Sequence, residues 1–359
     1  MKRWLPVLLL LVLAGCSVHP AQIAERTAEP VLPNGYRDPG EPAEVPPECT
    51  TPEGRAEYDP MRTLNPAGGR EDGTSVLDGP TLAEIRRTGL DVGVSQTTPL
   101  LSRRDQVTGE MEGFEIDLIN RIATELFGRP LQPNDTMLRL VTMPTGSRLL
   151  ALDTDKNEAA KNREETLREV PVVDMVVADV TMTCDRVYNH DIIYSTPYLT
   201  TNAGLLTRRG TETRDSLEKL RDRKVCAASA TTSIVDLLEA QETTGIKPVS
   251  TPDSSECLML LQRGLVDAVY TDFPILQGLQ TQDPGTELTD LPGRGGGTAG
   301  VAISNKHRDL VRFVNGVIAA MRADGSLRAS HERWFGEKVR AAGLRQGPIL
   351  PLPPIAYVD

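Results

Sequence analysis

Arg186 follows an apolar segment near the middle of the chain, together with Thr181 and Thr183. The segment, residues 172–178, is predicted to be a buried strand because it is rich in valine and other apolar residues. Open α/β sheets bind ligands in loops at the carboxyl ends of strands. A guanidinium is permanently charged, and its planar donors match a carboxylate. Arg186 is therefore a candidate carboxylate-binding residue, although most single arginines are simply solvated.

A second polar turn occurs later in the chain. Residues 224–228 are predicted to be a strand, and the small polar residues 229–233 lead into a helix predicted at 234–241. The free N–H groups at the start of a helix attract anions. Thr231 in this turn has an alternative role as the helix cap, since threonine is a favoured N-cap residue. The sequence thus offers a second position at which an anion could bind.

The elements around these turns indicate how they are positioned. Strand and helix patterns alternate twice along the chain, which predicts an α/β architecture with two lobes. Lobe 1 is predicted to comprise residues 80–203 and 299–342, and lobe 2 residues 204–298. The chain passes between the lobes near 201–206 and 297–303, so we expect a two-strand hinge. A hinged cleft can close on a ligand.

The N-terminal residues indicate where the protein is located. Lys2 and Arg3 precede an apolar run at 5–13 that is too short to span a membrane, and Cys16 follows small residues. This order resembles a bacterial lipoprotein signal, with residues 1–15 removed and Cys16 lipidated. The alternative is an ordinary secretory signal in which Cys16 is incidental. We expect a protein anchored by lipid on the extracytoplasmic face of the cell membrane.

The segments flanking the predicted lobes are less regular. Residues 16–79 are rich in Pro, Gly, Glu and Thr and predict a flexible tether, and residues 343–359 form a Pro-rich tail. The net charge is -11 and the pI about 5.1, which argues against binding to nucleic acid. The lipid anchor is the expected contact with the membrane.

The cysteines predict disulfides rather than a metal site. Export favours disulfide formation, and besides Cys16 the chain contains Cys49, Cys184, Cys226 and Cys257, which allow three pairings. We predict Cys226–Cys257 within lobe 2 and Cys49–Cys184 between the N-terminal extension and the loop of Arg186. No cysteine pair or histidine pair has the spacing of zinc ligands, so no metal or other cofactor is expected.

Five motifs, in order, resemble those of the extracellular solute-binding proteins of polar amino-acid ABC transporters (family 3). The resemblance runs from about residue 90 to residue 336 and implies a two-lobed periplasmic-binding-protein type II fold. The matching segments are 113–118 (family pattern G-F-D-x-D-L), 181–186 (T-x-T-x-E-R), 194–198 (F-S-x-P-Y), 267–272 (D-A-V-x-x-D), and 325–327 with 334–336 (D-G-T and W-F/L-G).

The resemblance implies a role for particular residues. In the family, the arginine at the position of Arg186 binds the α-carboxylate of an amino acid, and the acid at the position of Asp272 binds the α-ammonium group. Thr181 would add its hydroxyl or amide, and the turn containing Thr231 would donate N–H groups to the carboxylate. Arg148 matches an arginine that binds a side-chain carboxylate in acidic-amino-acid receptors. Taken alone, Asp272 could be a helix cap and Arg148 a partner of a surface acid.

Three features depart from the family pattern. Residues 95–100 lack the aromatic residue that usually stacks on the ligand, and Ala230 replaces a glycine. Asp179 stands where a glycine is common, and a carboxylate there would repel an acidic ligand. Residues 153–169 form an unusual charged insertion. Arg148 and Asp179 thus favour different ligands, and glutamate, aspartate, asparagine and glutamine remain candidates.

Residues 311–316, the C-terminal residues 357–359 and the pair Cys49 and Cys184 resemble actinobacterial glutamate/glutamine-binding lipoproteins more closely. The resemblance implies a monomer that hands an amino acid to an ABC permease. A sensor that signals through a membrane partner to a kinase pathway is the alternative. An enzyme on this scaffold, a dehydratase or a peptidoglycan lyase, would need a positioned acid or base, for which Asp179 is the candidate.

Overall fold

A computed structural model describes residue 39 and residues 45–66, 79–132, 135–152, 170–210, 215–354 and 356–358. The predicted signal segment, Cys16 and the insertion at 153–169 lie outside the described residues. All described residues belong to one compact unit, Pro33–Asp359. Within the described ranges no helix is long and apolar enough to cross a bilayer.

The described residues form a mixed α/β structure in chain order. The strands are β1 Arg62–Leu64, β2 Leu90–Val94, β3 Thr97–Thr98, β4 Ser102–Arg104, β5 Met111–Glu112, β6 Leu138–Thr142, β7 Met175–Val176, β8 Ile192–Tyr194, β9 Leu199–Thr201, β10 Ala203–Arg208, β11 Lys224–Ala228, β12 Lys247–Thr251, β13 Ala268–Asp272, β14 Thr286–Leu291, β15 Gly297–Ala299, β16 Ala302–Ser304 and β17 Ala356–Val358. The α-helices are Pro47–Thr50, Pro52–Glu57, Pro80–Thr88, Phe114–Phe127, Cys184–His190, Thr232–Thr244, Ser254–Gln262, Phe273–Gln282, Arg308–Ala323, Ser326–His331 and Lys338–Ala341.

Two five-stranded sheets define two lobes. The sheet of lobe 1 has the order β6-β2-β7-β16-β8, in which β2 runs parallel to β6 and β7 while β16 is antiparallel to β7 and β8. The sheet of lobe 2 has the order β12-β11-β13-β10-β14. β9 and β15 form a separate antiparallel pair in which Gly297 lies opposite Thr201. This pair corresponds to the predicted two-strand hinge, so the structure has the predicted two-lobed fold.

The amphipathic helix Phe114–Phe127 holds lobe 1 together. Its apolar side, which includes Leu118 and Ile122, is buried. At its first turn, one oxygen of Asp117 accepts hydrogen bonds from Ser330, Arg333 and the indole of Trp334. Two motifs that lie more than 200 residues apart in the sequence are therefore joined by one carboxylate.

The N-terminal extension is only partly as predicted, because residues 45–66 are not a flexible tether. They form two short helices and β1, which pairs in parallel with β17 from the C-terminal tail. Thr63 donates to the carbonyl of Tyr194, and the amide of Asn315 donates to Thr63 and to the carbonyl of Leu64. A composition rich in Pro and Gly predicts flexibility, but these buried hydrogen bonds, which have distant partners, fix the segment.

Both predicted disulfides are present. Cys49 is bonded to Cys184, which ties the extension to lobe 1. Cys226 in β11 is bonded to Cys257 in the helix Ser254–Gln262.

Several element boundaries differ from the predictions. The strand expected at 172–178 is limited to Met175–Val176. Strands β12 and β14 were not predicted, because neither shows a long run of apolar residues. β14 lies at the edge of the lobe 2 sheet and pairs with β10 alone, which explains its mostly polar sequence.

Candidate functional site

A cleft of about 380 Å³ lies between the lobes, and all six residues singled out from the sequence line it. They are Arg148, Asp179, Thr181, Arg186, Thr231 and Asp272. Other polar residues of the lining are Ser95, Thr98, Glu115, Thr145, Asp185, His190, Ser229, Thr232, Ser233, Ser250, Asp253, Ser254 and Thr271. None of the described residues that line the cleft is a phenylalanine, tyrosine or tryptophan.

Arg186 lies in the first turn of the helix Cys184–His190 rather than in the predicted open loop. One guanidinium nitrogen donates to the carbonyl of Thr181 at 2.7 Å, and the other donates to the carbonyl of Ala230 at 3.3 Å. Ala230 belongs to lobe 2, so this bond crosses the cleft. The disulfide at Cys184 fixes the helix that carries the arginine.

The two threonines expected near the carboxylate differ in their contacts. Thr181 Oγ1 lies 3.4 Å from Thr232 Oγ1 across the cleft. Thr231 is the N-cap of the helix Thr232–Thr244, where its hydroxyl accepts from Ile234 N and donates to the carbonyl of Ala228. The hydroxyl of Thr231 is therefore occupied, and the N–H groups of the first helical turn are what this segment can offer an anion.

Arg148 is largely, though not fully, buried, with 12% of its side chain exposed. Its Nη1 donates to the carbonyl of Ala178 at 3.0 Å, and its Nη2 lies 3.9 Å from Oδ1 of Asp253 in lobe 2. The same Asp253 oxygen accepts from the hydroxyl of Thr145 at 3.0 Å. Burial lowers the pKa of Arg148, and the charge of Asp253 is the largest of the contributions that oppose this shift. These contacts and those of Arg186 join the lobes in a closed arrangement.

Two carboxylates in the cleft lack such partners. Oδ1 and Oδ2 of Asp179 and Oδ1 of Asp272 are buried, and none of these three oxygens has a hydrogen-bond partner among the described residues. Burial raises the pKa of both acids, for Asp272 to about 7, and the charge of Asp272 raises that of Asp179 further.

Glu115 is a residue of the cleft that the sequence interpretation missed. It lies in the first turn of the helix Phe114–Phe127, where acids favour the helix dipole. Its carboxylate is buried, and Oε1 accepts from Asp179 N at 2.5 Å and from the hydroxyl of Tyr198 at 2.6 Å. Burial raises the pKa of Glu115. An acid at the start of a buried helix was the available signal, but nothing in the sequence brings it next to Asp179.

Two residues of the cleft have a backbone conformation that favours glycine. Asp179 has a φ of 48° and Ala230 a φ of 56°. Both positions were identified as places where the family pattern has glycine, and the left-handed backbone explains that preference. Aspartate tolerates this region better than alanine does. Both positions thus have the left-handed backbone that glycine adopts readily, while Asp179 adds a carboxylate.

Comparison with known proteins identifies relatives of this chain. Residues 159–337 match the model of the bacterial extracellular solute-binding proteins, family 3. The ABC transporter glutamine-binding protein GlnH of Bacillus subtilis is 26% identical over 259 residues, which are 72% of this chain and 85% of GlnH. The glutamate-binding protein GluB of Corynebacterium efficiens is 23% identical over 77% of this chain and 86% of its own length.

Solved structures show the same fold. An ancestral arginine-binding protein bound to arginine superposes with a TM-score of 0.58 and 26% identity, over 70% of this chain and 100% of its own. The ancestral amino-acid-binding protein AncCDT-1, described as a precursor of cyclohexadienyl dehydratase, has a TM-score of 0.57 and 25% identity, over 71% of this chain and 99% of its own. The relatives are amino-acid-binding proteins.

Proposed function

We propose that this chain, in which residues 159–337 form a domain of the family 3 solute-binding proteins, binds an amino acid and delivers it to an ABC permease. The observation that carries the proposal is the cleft itself, in which lobe 1 contributes Arg186 and lobe 2 contributes Asp272. Opposite charges from opposite lobes fit the two ends of a zwitterion, and a free lobe offers only half of the site. Binding energy is therefore gained by closure.

The carboxylate end of the ligand is assigned to Arg186 and the first turn of the helix Thr232–Thr244. A carboxylate would replace the carbonyls of Thr181 and Ala230 as the acceptor of the guanidinium donors. A charged acceptor forms a stronger hydrogen bond with guanidinium than a neutral carbonyl does. Thr181, which faces Thr232 across the cleft, completes this end of the site.

The charge of the lining suggests which side chain fits. Two arginines, Arg148 and Arg186, line the cleft together with the five acids Glu115, Asp179, Asp185, Asp253 and Asp272. Arg148 already has Ala178 and Asp253 as neighbours. A second carboxylate on the ligand would meet this excess of acids. Among glutamate, aspartate, asparagine and glutamine, we therefore propose the two amides as the better ligands.

The anchor and the partner follow from the sequence and the relatives. We propose that Cys16 is lipidated and holds the protein, as a monomer, on the extracytoplasmic face of the membrane. Metabolic labelling with a palmitate analogue should label the wild-type chain, whereas Cys16→Ser should abolish labelling and release the protein. A permease and an ATPase encoded beside this protein would support transport over the alternative, a sensor that signals to a kinase pathway.

One observation keeps an enzymatic role as a second candidate. Asp179 is a buried carboxylic acid with a raised pKa, which is a property of catalytic acids, and AncCDT-1 is described as the precursor of a dehydratase. The relatives themselves favour binding without chemistry. Incubation with isotope-labelled amino acids should return each ligand unchanged, and any turnover would support the enzymatic candidate instead.

Calorimetry with the purified protein and each common amino acid tests the proposed function. We expect binding with a Kd in the micromolar range or below, as is ordinary for a closed cleft that buries its ligand, which corresponds to about -8 kcal/mol. We also expect glutamine or asparagine to bind more tightly than glutamate or aspartate. A protein that gives neither heat nor a thermal shift with any amino acid would contradict the proposal.

A further inference from the structure

Asp179 and Asp272 form what we call the acid end of the cleft. An α-ammonium group requires only one carboxylate, so the acid end contains one more than is needed. Asp179 comes from lobe 1, shortly after β7, and Asp272 ends β13 in lobe 2. Both line the cleft, and Asp272 is only 5% exposed. Oδ1 and Oδ2 of Asp179 and Oδ1 of Asp272 are buried and have no hydrogen-bond partner among the described residues.

The charged groups around the pair do not neutralise it. Arg186 and Arg148 attract Asp179, and Arg186 also attracts Asp272, but neither arginine forms a hydrogen bond with these two carboxylates: Arg186 donates to the carbonyl of Thr181, and Arg148 donates to that of Ala178 and lies beside Asp253. Glu115 is a further acid beside Asp179, and Asp236 is a further acid near Asp272. A buried carboxylate without a partner is unfavourable, and it either takes up a proton or meets a cation.

Building on the proposed function, we propose that Asp179 and Asp272 together form the receptor for the ligand's ammonium group and that the bound amino acid displaces a proton from this pair. The ammonium group has three N–H donors, enough for both carboxylates at once. One carboxylate comes from each lobe, so the ammonium group bridges the cleft. The proton that the pair held in the closed, empty cleft is released to solvent, and no covalent bond changes.

The direction of the pH dependence follows from the raised pKa values of Asp179 and Asp272. Burial raises the pKa of both acids, so the empty closed cleft holds a proton at pH values where an exposed carboxyl would be ionised. Because the ammonium group requires ionised acceptors, this proton competes with the ligand. Affinity should therefore rise with pH from the ordinary carboxyl range until the pair is ionised, near the value of about 7 found for Asp272.

The proposal is tested by calorimetry of amino-acid binding in buffers with different ionisation enthalpies. Binding should release about one proton near pH 6 and almost none near pH 8, with an affinity about 10-fold higher at the upper value. Asp179→Asn should retain binding through Asp272, but with an affinity about 10-fold lower at pH 8, since one of the two acceptors of the ammonium group is lost. Glu287→Gln, an exposed acid of lobe 2, is the matched control and should behave as wild type.

A measurement without ligand tests the pair separately. In the ligand-free protein, ¹³C NMR of the aspartate carboxyl carbons should show two groups that titrate in coupled steps, one of them above the ordinary range. Asp272→Asn should move the Asp179 transition to lower pH, since the charge of Asp272 raises the pKa of Asp179. Unchanged titration of Asp179 in that variant would overturn the proposal.

The outcomes separate this inference from the proposed function. An amino acid that binds without proton release, or an Asp179→Asn variant with the affinity of wild type at pH 8, would overturn the carboxylate pair and leave the receptor function standing. Failure of every amino acid to bind would contradict the proposed function and the role of the ammonium group together, even if the NMR titration of the pair is coupled.

Discussion

The basic end of the cleft, with Arg186 and Arg148, and the acid end, with Asp179 and Asp272, differ in how many of their polar atoms already have hydrogen-bond partners. At the basic end, Arg186 and Arg148 already donate to carbonyls of the protein, and one buried donor, Nε of Arg148, has no partner among the described residues. At the acid end, three buried oxygens of Asp179 and Asp272 have no partner among the described residues. A ligand carboxylate at Arg186 would therefore compete with existing hydrogen bonds, whereas an ammonium group at the acid end supplies bonds that are missing. The acid end should thus gain more from the ligand than the basic end.

The largest effect on affinity is expected for Asp272→Asn. Loss of one partner from a buried, hydrogen-bonded charge pair costs about 2–5 kcal/mol, and here the side chain is almost fully buried. We expect affinity to fall by a factor of about 1,000, which corresponds to about 4 kcal/mol. Titration calorimetry beside the exposed control Glu287→Gln measures this loss. A smaller loss of affinity than that of Arg186→Ala would show that the basic end contributes more to binding than the acid end, contrary to the prediction.

Arg186→Ala tests the basic end and should have the next largest effect. We expect a loss of about 100-fold for every ligand, since all amino acids share the α-carboxylate and the interaction is worth about 3 kcal/mol. Arg186→Lys keeps the charge but not the planar donors, so it should recover only part of the affinity. An unchanged affinity in the alanine variant would remove Arg186 from the site.

Arg148→Ala should have a smaller effect that depends on the ligand. If Arg148 meets a side-chain carboxylate, the variant should lose about 10-fold for glutamate or aspartate, at about 1.4 kcal/mol, and little for the amides. Calorimetry with matched pairs, glutamate against glutamine and aspartate against asparagine, measures the selectivity. Equal losses for acidic and neutral ligands would indicate that Arg148 acts by holding Ala178 and Asp253 in place.

The disulfides should affect affinity least, and they differ in where they act. Cys49–Cys184 is attached to the helix that carries Arg186, whereas Cys226–Cys257 lies within lobe 2. Replacement of either pair by serine should lower stability by about 3–5 kcal/mol, as judged by denaturant unfolding. The first replacement should also weaken binding by about twofold to threefold, through the loss of positioning of Arg186, at well under 1 kcal/mol. Equal ligand affinities of the two variants would show that the disulfide at Cys184 is not needed to position the helix Cys184–His190.

The sequence predicted the parts of the fold that depend on local patterns and on the family motifs. The hinge, strand β11 and the helix that follows it, Thr232–Thr244, lie close to where the sequence pattern predicted them. The ordered extension at 45–66 was missed, because its fixation depends on Asn315 and on β17, far along the chain. Local composition contains no information about such partners.

In the site, too, residues that belong to sequence motifs were predicted, whereas residues placed there by tertiary contacts were not. The motifs identified six residues that do line one cleft, although their roles toward a ligand remain predictions. The role of Thr231 as a helix N-cap was one of the two roles that the sequence analysis gave for this residue. Glu115 and Asp253 were missed because their place in the cleft depends on how the lobes meet. The unpartnered state of Asp179 could not be predicted either, since it depends on where every neighbouring donor is directed.

The central claim is that the cleft holds both ends of a zwitterion, and calorimetry with three related compounds tests it most directly. Glutamine would be compared with 4-carbamoylbutanoic acid, which lacks the ammonium group, and with 4-aminobutanamide, which lacks the carboxylate. We predict that both analogues bind at least about 100-fold more weakly than glutamine, with the greater loss for the compound without the ammonium group. Binding of either analogue with the affinity of glutamine would contradict the claim.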